Sequence, residues 1–560
     1  MTVKLTKAVG RALQVSAACC VIVATMLWVG PYALRGDLFS GDAAQHVYWL
    51  YKYADPALFP GDVSVTYFSS HSVAPWGYRA LYSVLAAHVD AQLAAELVAA
   101  MLLAISGALA WLLGAAIGEE QSEYTGLFAV LAMILFLPHP GTDIFTPMGF
   151  QRSFALPLTL LCAWSLVTRR YAWIGVVWFL TALFYPVAIV VLGLAGAAVL
   201  IVDVVQTRRL PAAWLWIGCA GLGAITLVIS GANLPPGFGP VATYPQAITM
   251  PEFGPDGRMA TFGRSWSGAW LTDGHIGLGW PPRLIALIVL ALGVVLILRQ
   301  RQRIPRAIWI LAASGVGTWF IARVMMFQLY MPNRHSRWSV GVFGIVVMSI
   351  AATALCERWS AALSADGVAT GSRMSWLIAL GAPLMAVVVL WPSAIRVWNT
   401  PVDQDLERAY EFISRLPVDT VVVAHPDVAD FVPLRARRSV LASTEESQPF
   451  VLGFYGKVKP LIETSLRVAY ATRWEDIDRL LAPYHGAVVL TSPAVWEKRT
   501  YYAPFKELVG SLEARGGVEG FVLQHPSTDR VLFRSGEVYV VRAGPGAVGS
   551  LGSVVGSSLP

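Results

Sequence analysis

Asp37, Asp42, Gln45 and His46 follow directly on the first apolar stretch of the chain, in ALRGDLFSGDAAQHVYWLYKYADPALFPGD. A carboxylate at a water–lipid boundary can take a proton from a hydroxyl or hold a cation on a phosphate. If AAQHVYWLYKYA is helical, His46 stands one turn after Asp42 and both can face one cavity. Asp42, Asp37 and His46 are therefore the candidate catalytic groups, with Gln45 as a neighbouring substrate contact. The competing role for Asp42 is to cap that helix, since a carboxylate suits a helix N-terminus. For His46 the competing role is hydrogen-bonded packing beside Tyr48 and Trp49.

A second group lies far along the chain, in LYMPNRHSRW, with Arg334, His335 and Arg337. Arginine suits phosphate because its planar fork donates two parallel, permanently charged hydrogen bonds. Arg337 has a plainer alternative, snorkelling to lipid headgroups at the start of the next span. Arg152, after FTPMGFQ, is a similar case and could pair with a loop acid or a substrate phosphate. In GRSWSGAWLTDGHIGLGW, Trp266, Trp270 and Trp280 stand among glycines, Asp273 and His275. Indoles stack on sugars, but each of these fits better as an interfacial anchor.

Composition says what must position these groups. Of 560 residues, 56% are hydrophobic and only 14% charged, where soluble domains average roughly a quarter charged. Mean hydropathy is +0.58. Apolar stretches of membrane length recur at about 12–33, 92–117, 124–138, 152–168, 171–185, 187–206, 212–231, 283–298, 307–325, 338–356 and 375–397. The expected fold is a polytopic α-helical membrane protein with about eleven transmembrane helices. Lys4, Lys7 and Arg11, then Arg169 and Arg170, Arg208 and Arg209, Arg299 to Arg306, and Arg358 with Arg373 fall on alternate turns. Alternating charge of this kind puts the N-terminus in the cytoplasm. The loops 34–91 and 232–282 and the C-terminal third then lie outside. The stretch 59–91 reads as an amphipathic helix along the outer interface. All five cysteines fall within spans, and no disulfide or zinc spacing is present.

The spans and loops make one membrane domain over 1–399. From about 400 to 545 the composition becomes that of a globular α/β domain. DQDLERAYEFISRL, PLIETSLRVAY and WEDIDRLLAPY read as helices, and DTVVVAH, RSVLAS, GAVVL and EVYVVRA as strands. His425, Asp427 and Asp430 could suggest a metal, yet a polar strand-to-helix turn explains them better. Residues 546–560 form a Gly/Ser-rich tail expected to be disordered.

With these pieces assembled, the chain resembles the GT-C superfamily of integral-membrane glycosyltransferases. GDAAQHVYWLYKYADPALFPGD, LYMPNRHSRW and PLRARRSVLASTEESQPF carry the resemblance, together with the layout of spans and external tail. It implies a GT-C-like helix arrangement in a bacterial inner (cytoplasmic) membrane. It also implies inverting transfer of a sugar from a polyprenyl-phosphate donor to an extracytoplasmic glycan, lipid or protein acceptor. By position, Asp42 or Asp37 matches the family's first-loop acid, and Arg334 and His335 fall near the donor phosphate. An adjacent acid pair familiar in the family is absent here. No cofactor is assigned, a divalent cation remains open, and no nucleic-acid partner is expected. Two other classes remain. A transporter would show internal repeats and charges at mid-span, which this chain does not. A non-catalytic scaffold for cell-envelope glycan assembly would tolerate replacement of the loop acids.

Overall fold

The computed structural model describes residues 7–35, 41–118, 124–137, 144–263, 265, 270, 275–278, 284–299, 304–365, 371–497 and 501–543. Asp37, Trp266, Asp273, Trp280 and the tail 546–560 lie outside the described residues.

Each of the eleven apolar segments is helical. Backbone in lipid must satisfy its own hydrogen bonds, and uninterrupted Leu, Ala, Val and Ile runs do so as helices. The helices are α1 (Lys7–Ala24), α2 (Ala91–Gly118), α3 (Thr125–Phe136), α4 (Ala155–Val167), α5 (Ala172–Phe184), α6 (Ile189–Thr207), α7 (Trp214–Gly231), α8 (Leu284–Arg299), α9 (Arg306–Met325), α10 (Asn333–Ala365) and α11 (Gly371–Trp398). A π-helical turn, Thr25–Val29, continues α1 into Gly30–Arg35. Seven of these helical segments are long and apolar enough to cross a membrane, and α3 and α5 are shorter apolar helices. Their outward faces are apolar too: Leu222 is 68% and Val324 77% exposed. Such surface suits lipid rather than water.

The helix ends sort into two sets. Arg35 donates to the carbonyls of Val397, Trp398 and Thr400, joining the end of the first span to the end of α11. Gly149 N donates to Ala95 O near the start of α2, and Trp338 Nε1 to Ile144 O. A Cβ on Gly77 would lie 2.8 Å from Leu183 Cβ near the end of α5. At the opposite ends, Tyr124 bonds Ser375 at 2.5 Å, and Arg169 faces Asp203 at 3.7 Å. The ends expected outside thus lie together, away from the arginine-bearing ends.

The first long connection departs from expectation. In place of one helix lying on the interface there are two short ones, Val63–Phe68 and Trp76–Leu85. The second buries Tyr78 and Tyr82 fully while Val84 and Trp76 stay exposed. It is amphipathic, but its buried face packs on protein.

The C-terminal region carries a four-stranded sheet of order β1-β2-β4-β3, with β1 Val422–Val423, β2 Val488–Thr491, β3 Val531–Ser535 and β4 Val538–Arg542. β1 and β2 are parallel, and the other pairs are antiparallel. RSVLAS contributes only an isolated bridge, Val422 to Val440, rather than a strand. The anticipated helices are Gln404–Ser414, Leu452–Ala469 and Trp474–Leu481. This region packs onto the membrane-side loops. Phe454 stacks on Tyr67 at 4.1 Å, and Ala242 N donates to Phe450 O.

Candidate functional site

Gly41 and Asp42 open a single helical turn, Ala43–His46, which passes into a 3-10 turn, Tyr48–Tyr53. Ala43, Ala44, Val47, Tyr48 and Leu50 are all but inaccessible. Those buried apolar side chains seat the turn against the protein and leave Asp42 at its start. Asp42 has helical backbone angles and its side chain makes no capping bond. The capping role therefore does not describe what this carboxylate does. Its Oδ2 forms an ion pair with Arg152 Nη2.

Arg152 sits in the 3-10 turn Gln151–Phe154 that leads into α4. Gly149 makes its approach possible, because a Cβ there would stand 2.6 Å from the Tyr82 hydroxyl and 2.8 Å from Ala95 O. The guanidinium lies 5.5 Å from the Phe150 ring centroid. The two side chains of the pair are 16% and 30% exposed, Arg152 the less.

Burial is the largest influence on Asp42 and pushes its pKa up. Arg152, His46 and Arg334 together outweigh burial and leave the carboxyl at about 2. His46 is pushed down to about 4, by burial first and then by Arg152 and Arg334, with Asp42 opposing. Its ring lies 5.4 Å from Phe150 and edge-on to Phe68 at 6.3 Å. Its Nδ1 is buried without a hydrogen-bond partner among the described residues. At neutral pH this corner therefore holds a carboxylate and a neutral imidazole. Proton transfer is most efficient when a base titrates near the working pH. A carboxylate at about 2 is a weak base and a durable acceptor of hydrogen bonds.

Arg334 completes the group, acting on both Asp42 and His46. The sequence places it on a link before the tenth span, but the helix begins earlier, at Asn333. Arg334 thus stands in the first turn of α10, where the helix dipole adds positive potential. Its Nη1 is buried and has no hydrogen-bond partner among the described residues. Arg334, Arg152 and Arg337 all act electrostatically on the Tyr185 hydroxyl at the end of α5. Arg337 is only 3% exposed, so it does not reach outward to headgroups. The His335 Nε2 lies 2.7 Å from Leu329 O, which fixes the turn before α10 rather than leaving the ring open. Tyr185 has no motif around it that would have marked it in the sequence.

Gln45 has a different occupation from the substrate contact expected of it. Its Nε2 donates to Glu445 O at 2.6 Å and Glu445 Oε2 at 2.9 Å, while its Oε1 accepts from Gln448 Nε2. Both ends of the amide are engaged by the C-terminal region. Among the tryptophans, Trp270 lies under the Arg323 guanidinium at 4.2 Å. His425 accepts from Asp427 N and caps Pro426–Ala429, the turn expected there. Among the described residues no three His, Cys, Asp or Glu side chains are grouped so as to hold a metal ion.

No protein-family model and no curated protein matches the chain. Among solved structures it is similar to the archaeal oligosaccharyltransferase AglB from Archaeoglobus fulgidus, in complex with an inhibitory peptide and a dolichol-phosphate. That match has 13% identity and a TM-score of 0.47, over 85% of this chain and 69% of the other. The Archaeoglobus fulgidus oligosaccharyltransferase tethered to an acceptor peptide matches at 12% identity and a TM-score of 0.45, over 86% and 69%. Both scores are below 0.5, so function has to be argued from the site's own residues.

Those residues are three arginines, one ionised carboxylate and a neutral imidazole, brought together from 41–46, 151–154 and 333–337. An anion with a hydroxyl-bearing partner fits this chemistry. The guanidiniums can bind the anion, and the carboxylate can accept from the hydroxyl.

Proposed function

We propose that the chain is a multi-pass membrane glycosyltransferase that takes a sugar from a polyprenyl-phosphate carrier and passes it to a glycan, lipid or protein acceptor outside the cytoplasm. Arg334 carries the proposal: a buried guanidinium nitrogen with no described partner, beside an Asp42–Arg152 pair, at the helix ends away from the cytoplasmic arginines. Burying an unpaired donor is costly, and a substrate phosphate oxygen would satisfy it. When the bond between the sugar and the phosphate oxygen breaks, negative charge grows on that phosphate. A guanidinium fixed in place stabilises such charge without reorganising. Asp42, held ionised, accepts a hydrogen bond from the attacking hydroxyl and orients it. As the hydroxyl oxygen bonds the sugar carbon, its proton becomes strongly acidic and passes to Asp42 and on to water. His46, neutral with Nδ1 open, is the second acceptor in reach. Arg152 holds Asp42, and Arg337 adds to the positive potential.

The test is sugar transfer from a polyprenyl-phosphate-linked donor in membranes carrying matched amounts of protein. Arg334→Lys keeps the charge and loses the fork, and is expected to lower transfer by about tenfold or more. Transfer at the wild-type level in both Arg334→Lys and Arg334→Gln would remove the phosphate role.

A further inference from the structure

Gln45 leads to an inference that rests on the transferase proposal and extends it. We infer that Glu445, in the C-terminal region, is a positioning residue for Asp42, so that the site is complete only when that region is docked on the first loop.

Glu445 is held from three directions. Its Oε2 accepts from Arg258 Nη2 and from Gln45 Nε2, each at 2.9 Å. Its backbone oxygen accepts from the same two side chains, at 3.3 and 2.6 Å. Its backbone nitrogen donates to Asp430 Oδ1 at 2.8 Å. The loop at 258, the first loop and the C-terminal region thus meet at one side chain.

The turn that presents Glu445 is itself fixed. Ser447 Oγ donates to Ser443 O, Glu446 N to Ser443 Oγ, and Thr444 Oγ1 to Asp427 Oδ1. Arg258 Nη1 adds a bond to Ser447 O at 3.0 Å. A rigid donor–acceptor frame of this kind transmits position better than a loop held only by apolar contact.

The frame grips the segment that carries Asp42. Gln45 lies in the same helical turn, three residues on, and a Cβ on Gly41 would come 3.6 Å from Glu445 Oε1. A second clamp lies further along, where Arg437 sits 4.2 Å over the Tyr51 ring and pairs with Asp90 at 3.0 Å. The membrane helices alone supply Asp42 with the Arg152 pair. Register along 41–46 comes from the C-terminal region. A displacement of about 1 Å at a reacting group can cost on the order of a hundredfold in rate.

The full-length protein in lipid nanodiscs tests this with two independent measurements on wild type, Gln45→Ala, Glu445→Ala and Glu445→Gln. The first is amide hydrogen exchange over residues 41–53. Exchange is expected to rise at least fivefold in both alanine variants while that of 404–414 is unchanged. Glu445→Gln, which keeps an oxygen for Gln45, is expected to fall between. The second is sugar transfer from a polyprenyl-phosphate-linked donor, where kcat is expected to fall about tenfold or more with KM within about twofold. Gln45→Ala leaves the C-terminal region's own bonds in place, so a misfolded Glu445→Ala protein does not remove the test. Unchanged exchange over 41–53 in Gln45→Ala overturns the inference whatever the activity. So does a rise in KM at constant kcat, which would place Glu445 on substrate. If wild type transfers no sugar, the transferase proposal fails, while the exchange measurement still decides the coupling.

Discussion

Replacing Asp42 by Asn separates an electrostatic role from a packing one, because Asn has nearly the same shape and caps a helix about as well. In the folded protein the Asp42 carboxyl stands at about 2, against an ordinary 3.8. At about 1.4 kcal/mol for each tenfold change in proton affinity, that is roughly 2.5 kcal/mol in favour of the ionised form. The side chain is 30% exposed, and solvent screening brings the expected contribution to about 1–2 kcal/mol. The folded value lies below the unfolded one. The contribution is therefore complete above pH 3.8 and is lost as pH falls through about 2. Asp42→Asn should lower unfolding stability in detergent by about 1–2 kcal/mol at pH 7 and remove the acid-side loss. A cycle with Arg152→Gln should return a coupling energy of similar size. In the same membranes, sugar transfer should drop by about a hundredfold while the protein still accumulates. Transfer within twofold of wild type, together with a coupling energy near zero, would refute both the ion pair and the part assigned to Asp42.

Three further outcomes are expected. Asp430 is raised to about 8, chiefly by burial. Its contribution is present below the unfolded value near 4 and is lost as pH rises through 8, so Asp430→Asn should flatten the fall in unfolding midpoint between pH 5 and 9. Gly149→Ala drives a methyl group against Tyr82 and Ala95, and should cost about 1–3 kcal/mol by overpacking, read in a detergent unfolding titration. An alkaline phosphatase fused after Leu406 should be active in a bacterial host. An active cytoplasmic fluorescent reporter at that point would invert the proposed topology.

Each apolar segment that hydropathy picks out is helical among the described residues, because a run such as LIALIVLALGVVLILR has few alternatives to burial in lipid. Helix ends were harder. The helix expected from 338 begins at Asn333 because Pro332 and the turn at Tyr330 start it, and that shift moves Arg334, His335 and Arg337 from a link into a helix. In the C-terminal region GAVVL and EVYVVRA are strands, yet VLFRS, a half-buried edge strand beside polar STDR, carries too weak an alternation to mark it as one. Asp42, Arg152 and Arg334 stand out in the sequence by type and position, since charge beside apolar spans is rare. Pairing with a loop acid is one of the two roles the sequence offers Arg152, but only the fold shows that the acid is Asp42, 110 residues away. Glu445 lies within PLRARRSVLASTEESQPF, one of the segments that carry the resemblance, but nothing local distinguishes it from any solvated acid. Its role arises only where three distant segments meet.

The bond from Gln45 to Glu445 spans 400 residues of chain. During synthesis the first loop is made early, well before the side chain that holds it. At roughly 5–20 residues per second, the interval is on the order of 20–80 seconds. The Ser16 hydroxyl waits almost as long for the Ala379 carbonyl on the last span. On the topology and the transferase role proposed above, a nascent chain carries Asp42 out of the membrane before the frame around Glu445 exists. Truncated products released before residue 445 would then be inserted yet inert.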